Sequence, residues 1–112
     1  MTTREVGKKL ENLVCDMLSD IDSKARPTKN SGASNELGDI LSTRFVVECK
    51  KRNTENITLK KKTWDKLCSE VPISSMRIPL YVLQNKHNDT FVVLSIVDFI
   101  NLLKEESNED ND

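Results

Sequence analysis

The six residues Phe45-Val46-Val47-Glu48-Cys49-Lys50 constrain the fold more than any other part of the chain. The stretch is rich in β-branched and aromatic side chains and contains no breaker, so it predicts a strand. Side chains alternate faces along a strand, which puts Glu48 and Lys50 on one side and Val47 and Cys49 on the other. Phe45 to Val47 anchor the strand in the core, and a carboxylate and an amine emerge together at its end. Such a strand requires neighbours in a sheet.

The neighbours can be read on both sides. Asp39-Ile40-Leu41 is a short strand, Ser42-Thr43-Arg44 a tight connection, and together with Phe45–Lys50 they predict a β-hairpin. Upstream, Val6, Leu10, Leu13, Val14, Met17, Leu18 and Ile21 recur at three- and four-residue steps, an amphipathic helix. The span between them, Asp22 to Leu37, is rich in Ser, Asn, Gly and Lys and reads as a long loop with some strand around Ala25 to Thr28. Loops of that length in small domains are more often functional than incidental.

Downstream, Thr58 to Val71 carries Leu59, Trp64, Leu67 and Val71 on one side and predicts a second helix capped by its opening threonine. Trp64 falls in that apolar register and is expected in the core. Leu80–Gln84 and Thr90–Leu94 read as strands separated by the turn-prone run Asn85 to Asp89. Ser95 can cap a last helix, Ile96 to Lys104. A helix between the second and third strands allows a right-handed crossover with those strands parallel. The expected fold class is therefore α/β, a central mixed β-sheet of about four to five strands flanked by helices.

At 112 residues the chain predicts one domain, too short for a bilobed enzyme. Residues 1–104 are expected to form it, and residues 105–112, with Glu105, Glu106, Glu109, Asp110 and Asp112, a disordered acidic tail. No apolar run is long enough to cross a bilayer, and the opening MTTREVGKKLENL has no apolar core of a secretory signal, so a cytoplasmic protein without a membrane partner is expected. Cys15, Cys49 and Cys68 contain no C-x-x-C pair and the one histidine, His87, lies in a turn, which argues against structural zinc and a disulfide framework.

Net charge is −1, yet most of the acidic excess sits in the tail. Between Arg44 and Lys66 stand eight basic residues against Glu48, Glu55 and Asp65. A local basic stretch can meet a phosphate backbone at near-zero net charge, although it is also the ordinary pattern of a solvated face.

The chemistry is carried by Asp39, Glu48 and Lys50. Pairing in a short hairpin brings Asp39 close to Glu48, and two adjacent carboxylates repel unless a cation or proton is shared. Magnesium takes oxygen ligands and keeps several waters, so Asp39, Glu48 and the backbone carbonyl of Cys49 form a suitable set, with Mn²⁺ a substitute. Lys50 would orient an attacking water or offset charge on a phosphoryl transition state. A bare E-x-K on a strand is a weak signal.

Gly38-Asp39-Ile40, eight residues more, then Glu48-Cys49-Lys50, all behind a helix bearing Gly7-Lys8-Lys9-Leu10-Glu11, resembles the archaeal-type Holliday-junction resolvases of the PD-(D/E)xK superfamily. The resemblance covers about Val6 to Leu94. It implies a restriction-endonuclease-like core and a Mg²⁺-dependent endodeoxyribonuclease acting on branched DNA in a prokaryotic, archaeal or virally infected cell. Residue by residue, Glu11 matches the helix glutamate that supports the metal site, Asp39 the first motif aspartate, and Glu48 and Lys50 the E-x-K. Gly38 stands where the superfamily name has proline. The family's loop serine falls on Ser31 or Ser34.

Lys29, Lys51, Arg52 and the helix start Lys60-Lys61-Lys62 are the expected DNA-facing cations. Two symmetric cuts from a one-site chain imply a homodimer. A less selective or nicking nuclease, and a non-catalytic DNA-binding module of the same fold, are the alternatives.

Overall fold

A computed structural model describes residues 3–31, 34–35, 38–71 and 75–110. The element order is α1 (Thr3–Ser19), β1 (Arg26–Pro27), β2 (Asn30–Ser31), β3 (Ser34–Asn35), β4 (Ile40–Leu41), β5 (Phe45–Lys51), α2 (Lys61–Glu70), β6 (Ile78–Gln84), β7 (Thr90–Val93) and α3 (Ile96–Asp110). Five strands form one mixed sheet in the order β1-β4-β5-β6-β7, and β2 and β3 make a separate two-stranded pair. The α/β class and the strand number agree with expectation.

The hairpin pairs Ile40 with Val47 and Leu41 with Val46, antiparallel. β5 and β6 run parallel in unbroken register from Phe45↔Ile78 to Lys51↔Gln84. The chain between them carries α2, as a parallel connection requires. β6 and β7 close the sheet antiparallel. Pro27 lies on β1 at the sheet edge, where its missing N–H breaks no ladder.

Central strands are buried on both faces, and each face has its own apolar cluster. Phe45, Val47, Cys49, Leu80 and Val82 pack with Leu10 and Val14 of α1, joined by Leu18 and by Leu102 of α3. Leu10, Val14 and Leu18 are four residues apart and so share one helix stripe. On the other face Val46, Tyr81 and Leu83 pack with Leu67 of α2, and Trp64 is partly buried among them, in the core as expected.

Three boundaries depart from the sequence reading. The second helix begins at Lys61 and not at Thr58; Lys60 is its N-cap, in extended conformation and without a side-chain cap bond. Ile57 is seated against the second cluster, which holds the chain extended until Lys60. The third helix passes Lys104 and runs to Asp110, so Glu105 to Asp110 are helical and not disordered. Glu105 accepts a hydrogen bond from Arg44, and Ser95 caps the helix through the Asp98 N–H at 3.1 Å. The expected long loop holds three short strands, one of them at the anticipated Ala25–Thr28 position. Among the described residues no helix is long and apolar enough to cross a membrane.

Candidate active site

The site begins with the chain's approach to β5. Gly38 has φ of 75°, and a Cβ there would stand 2.9 Å from Val46 Cγ1 and 3.0 Å from the Val47 carbonyl oxygen. Only glycine accepts both the backbone sign and the proximity. Asp39 follows, one residue before β4 begins at Ile40. Its N–H donates to the Val47 carbonyl at 2.7 Å, and its own carbonyl accepts from the Thr28 N–H at 3.0 Å. The Thr28 hydroxyl donates to the Gly38 carbonyl at 2.7 Å.

The Asp39 carboxylate is held as firmly as its backbone. Its Oδ2 accepts the Cys49 N–H at 2.8 Å, so the side chain does the work that a further ladder bond would otherwise do. The carboxylate is therefore fixed in position at the end of the hairpin.

Glu48 and Lys50 share a face of β5, as alternation requires, and Lys50 Nζ lies 3.6 Å from Glu48 Oε1. Burial pushes the Glu48 carboxyl above its ordinary value, the Asp39 charge adds to the rise and Lys50 opposes it. Glu11 comes from the other side of the sheet, on α1, with Lys8 Nζ 4.0 Å away. Burial and then the Asp39 charge raise its carboxyl, against Lys8 and Lys50. Asp39 is thus common to both glutamates, and Lys50 is the cation common to both.

Glu11, Asp39 and Lys50 meet at an open cleft of about 1020 Å³. Glu11, Asp39, Cys49, Lys50 and Lys51 line it together with the first turns of α1, while Glu48 is not among its lining residues. Cys49 is a spectator: burial, followed by the charges of Asp39, Glu11 and Glu48, drives its thiol upward and keeps it protonated. Compared with models of protein families, with curated proteins and with solved structures, the chain matches none. The site's meaning rests on its own geometry.

The remaining expected residues are distributed as follows. Ser31 and Ser34 pair with each other through the backbone of β2 and β3, and their side chains lie outside the described residues. Lys51 does not extend freely into solvent: its ammonium donates to the Asn85 carbonyl at 2.7 Å and to Asn88 Oδ1 at 2.6 Å, clamping the β6–β7 turn. Arg52 is half-buried and its N–H donates to the Gln84 carbonyl. Lys29, Lys60, Lys61 and Lys62 are exposed and outside the cleft lining, with Lys61 paired to Asp65.

Four contributors were not anticipated. Lys8 and Asn53 line the cleft, Thr28 secures the Gly38–Asp39 turn, and the Glu70 charge on α2 also raises the Glu48 carboxyl. Of these only Lys8 left a trace in sequence, as the partner three residues before Glu11.

The carboxylates at the cleft, Glu11 and Asp39, offer oxygen donors, which suit a hard divalent cation over a soft one. Among the described residues no three His, Cys, Asp or Glu side chains are already gathered to ligating distance.

Proposed function

We propose that this chain is a metal-dependent DNA endonuclease with a restriction-endonuclease-like core. The observation that carries the reading is the cleft in which Glu11, Asp39 and Lys50 meet, with the Glu11 and Glu48 carboxyls both raised by burial and by the charge of Asp39. Folded proteins tolerate such an arrangement mainly where a cation or a reacting group offsets it.

In this reading Asp39, Glu48 and the Cys49 carbonyl, supported by Glu11, hold Mg²⁺, with Mn²⁺ as substitute. When bound, the ion supplies Lewis acidity toward a phosphodiester and lowers the pKa of a water. The chain's own residues do the rest. Asp39 is oriented by the Cys49 N–H and by its backbone ties to Val47 and Thr28. Lys50 lines the cleft, where its ammonium would orient a water or offset charge on the phosphate. The exposed lysines Lys29, Lys60, Lys61 and Lys62 offer sequence-independent attraction to a nucleic-acid backbone. Selectivity for branched DNA such as four-way junctions is the specificity that the resemblance to the resolvases favours.

The test is cleavage of labelled four-way junction, flap, duplex and single-stranded DNA with Mg²⁺, Mn²⁺ or chelator. Paired, metal-dependent nicks restricted to the junction are expected, and lost in Asp39→Asn. Cutting of every form alike would assign a less selective nuclease. Binding without any metal-dependent cutting would leave a non-catalytic DNA-binding module.

A further inference from the structure

The cleft described above lies where β5 ends. A second, smaller cleft of about 240 Å³ lies where β5 begins, lined by Lys24, Arg26, Ser42, Thr43 and Arg77 together with Leu41. Arg26 stands on β1, Ser42 and Thr43 in the turn between β4 and β5, and Arg77 just before β6. Six steps along β5 at about 3.3 Å each separate the two clefts by about 20 Å, so the smaller one is no extension of the larger. Its lining includes three cations and no carboxylate. A cleft lined by one sign of charge concentrates ions of the other.

The charges of Lys24 and Arg77 are not spent within the protein. Asp22, which organises the same turn, is buried and accepts the Lys24 N–H at 3.2 Å, the Arg44 N–H at 3.3 Å and bonds from the Ser42 and Thr43 hydroxyls. The Arg44 guanidinium pairs with Glu105. The Lys24 ammonium, by contrast, has no hydrogen bond or ion pair among the described residues. Arg77 donates from Nε to the Ser42 carbonyl at 2.9 Å, which fixes the guanidinium and leaves its two terminal amino groups without a partner among the described residues. The backbone is strained where it delivers this side chain. Met76 holds φ of 59° although it is not glycine, and at 88% exposure its own packing does not demand it.

We infer that this smaller cleft binds a phosphomonoester dianion, with the Arg77 fork and the Lys24 ammonium as its principal donors. A planar guanidinium held by one edge presents parallel N–H groups to two oxygens of a tetrahedral anion, and an ammonium supplies a point charge beside it. A carboxylate or a phosphodiester brings one negative charge. A phosphomonoester brings about 1.5 to 2 at pH 7 with three strong acceptor oxygens, the closer match to this lining. The same group occurs at the end of a nucleic-acid strand and in free phosphate compounds.

The inference does not depend on the chemistry proposed for the larger cleft, and its test is read residue by residue. The full chain, in chelator, is titrated with inorganic phosphate against chloride at constant ionic strength and followed by ¹H–¹⁵N NMR. The Thr43 and Arg44 amides and the Arg77 Nε–H should move along one saturable curve in the millimolar range. Lys24→Ala, which removes no contact within the fold, should weaken this binding at least about tenfold, and Arg77→Lys should do the same by keeping the charge and losing the fork. Lys86→Ala, an exposed lysine elsewhere, should leave it unchanged. A 5′-phosphorylated oligonucleotide that binds the same residues more tightly than inorganic phosphate identifies a strand end as the source; one that binds no more tightly identifies a free phosphate compound. Absence of a saturable shift at Thr43 and Arg77 would overturn the inference, as would a Lys24→Ala variant that binds like the parent chain. An unphosphorylated oligonucleotide that moves the same signals as strongly would overturn it too, since it offers only diesters.

Discussion

Replacing Asp39 in two ways separates what its shape does from what its charge does. In Asp39→Ala the Cys49 N–H, half-buried and now bonded to Oδ2 at 2.8 Å, loses its acceptor. An orphaned donor of this kind, with the loss of a charge-assisted bond, costs about 1.5–3 kcal/mol. For a domain of this length that is a drop in Tm of about 6–12 °C. Asp39→Asn keeps a carbonyl oxygen in the same place and removes a negative charge from beside Glu48 and Glu11. It should stay within about 1 kcal/mol of the parent chain without metal. Under the proposed function both variants lose cutting, and only the alanine loses stability.

The pH dependence supplies an internal check. Glu48 and Glu11 are raised above their ordinary value of 4.5, so the folded state holds their protons more tightly than the unfolded state does. Their mutual repulsion with Asp39 costs stability at pH above the raised values, and falling pH relieves it as the glutamates protonate. The Asp39→Asn variant should therefore gain most on the parent chain near neutral pH and least near pH 4. Added Mg²⁺ at about a hundred times its Kd should stabilise the parent chain by about 2.7 kcal/mol and neither variant. Thermal melts by circular dichroism with and without chelator, paired with cleavage assays, measure all of this. Asparagine as destabilising as alanine would refute the hydrogen-bond argument. An asparagine variant that still cuts would refute the role given to the charge.

Three other perturbations have defined outcomes. Gly38→Ala forces a side chain into positive φ and within 2.9 Å of Val46 Cγ1, so it should cost at least about 1–2 kcal/mol in urea unfolding and lower cutting by displacing Asp39. Lys51→Ala should raise hydrogen exchange at Lys86 to Asp89, because its two bonds clamp that turn, and leave the salt slope of DNA binding unchanged; a slope smaller by about one would make it a phosphate contact instead. Burial works against the Asp22 carboxylate, but bonds from Ser42, Thr43 and the Lys24 and Arg44 amides outweigh it and hold its pKa below 3.8. Its contribution is thus present above pH 3.8 and lost as pH falls through the lower folded value, so Asp22→Ala should destabilise at pH 7 and flatten the acid limb of a pH series of melts.

The elements that were legible in sequence are those whose own side chains decide them. The stripe Leu10, Val14, Leu18 specifies α1, and the run Phe45 to Lys50 specifies a strand whose register with Ile40 and Leu41 follows from the short turn. Boundaries set by distant contacts were not legible. Nothing local in Thr58-Leu59-Lys60 shows that Ile57 will be drawn into the Tyr81–Leu83 cluster and delay the helix. Nothing in the acidic run after Lys104 shows that Arg44, sixty-one positions earlier, meets Glu105. The proximity of Asp39, Glu48 and Lys50 was readable from the hairpin and from strand alternation, but the bond from the Cys49 N–H was not, since it depends on the chain turning at Gly38. Lys51 was misleading for a related reason: an exposed-looking cation in sequence finds two acceptors in a turn folded back from β6.

The energetics of the site concentrate unfavourable terms in one place. Glu48 is buried enough to be raised and lies near Asp39 and Glu70, with only Lys50 in opposition. Tyr81, its register partner on β6, is fully buried, and its hydroxyl has no hydrogen-bond partner among the described residues. An orphaned buried hydroxyl is a cost of about 1–3 kcal/mol that an apolar residue at the same position would avoid. The rest of the neighbourhood is arranged to withstand it: the hairpin is tied at Val47 and Thr28, the strand is buried on both faces, and Gly38 admits the close approach. Rules of local stability that fail together at one point, while the surroundings obey them, are what the proposed function would impose on the fold. An ordinary surface ion pair would place its charges in water and need no such support.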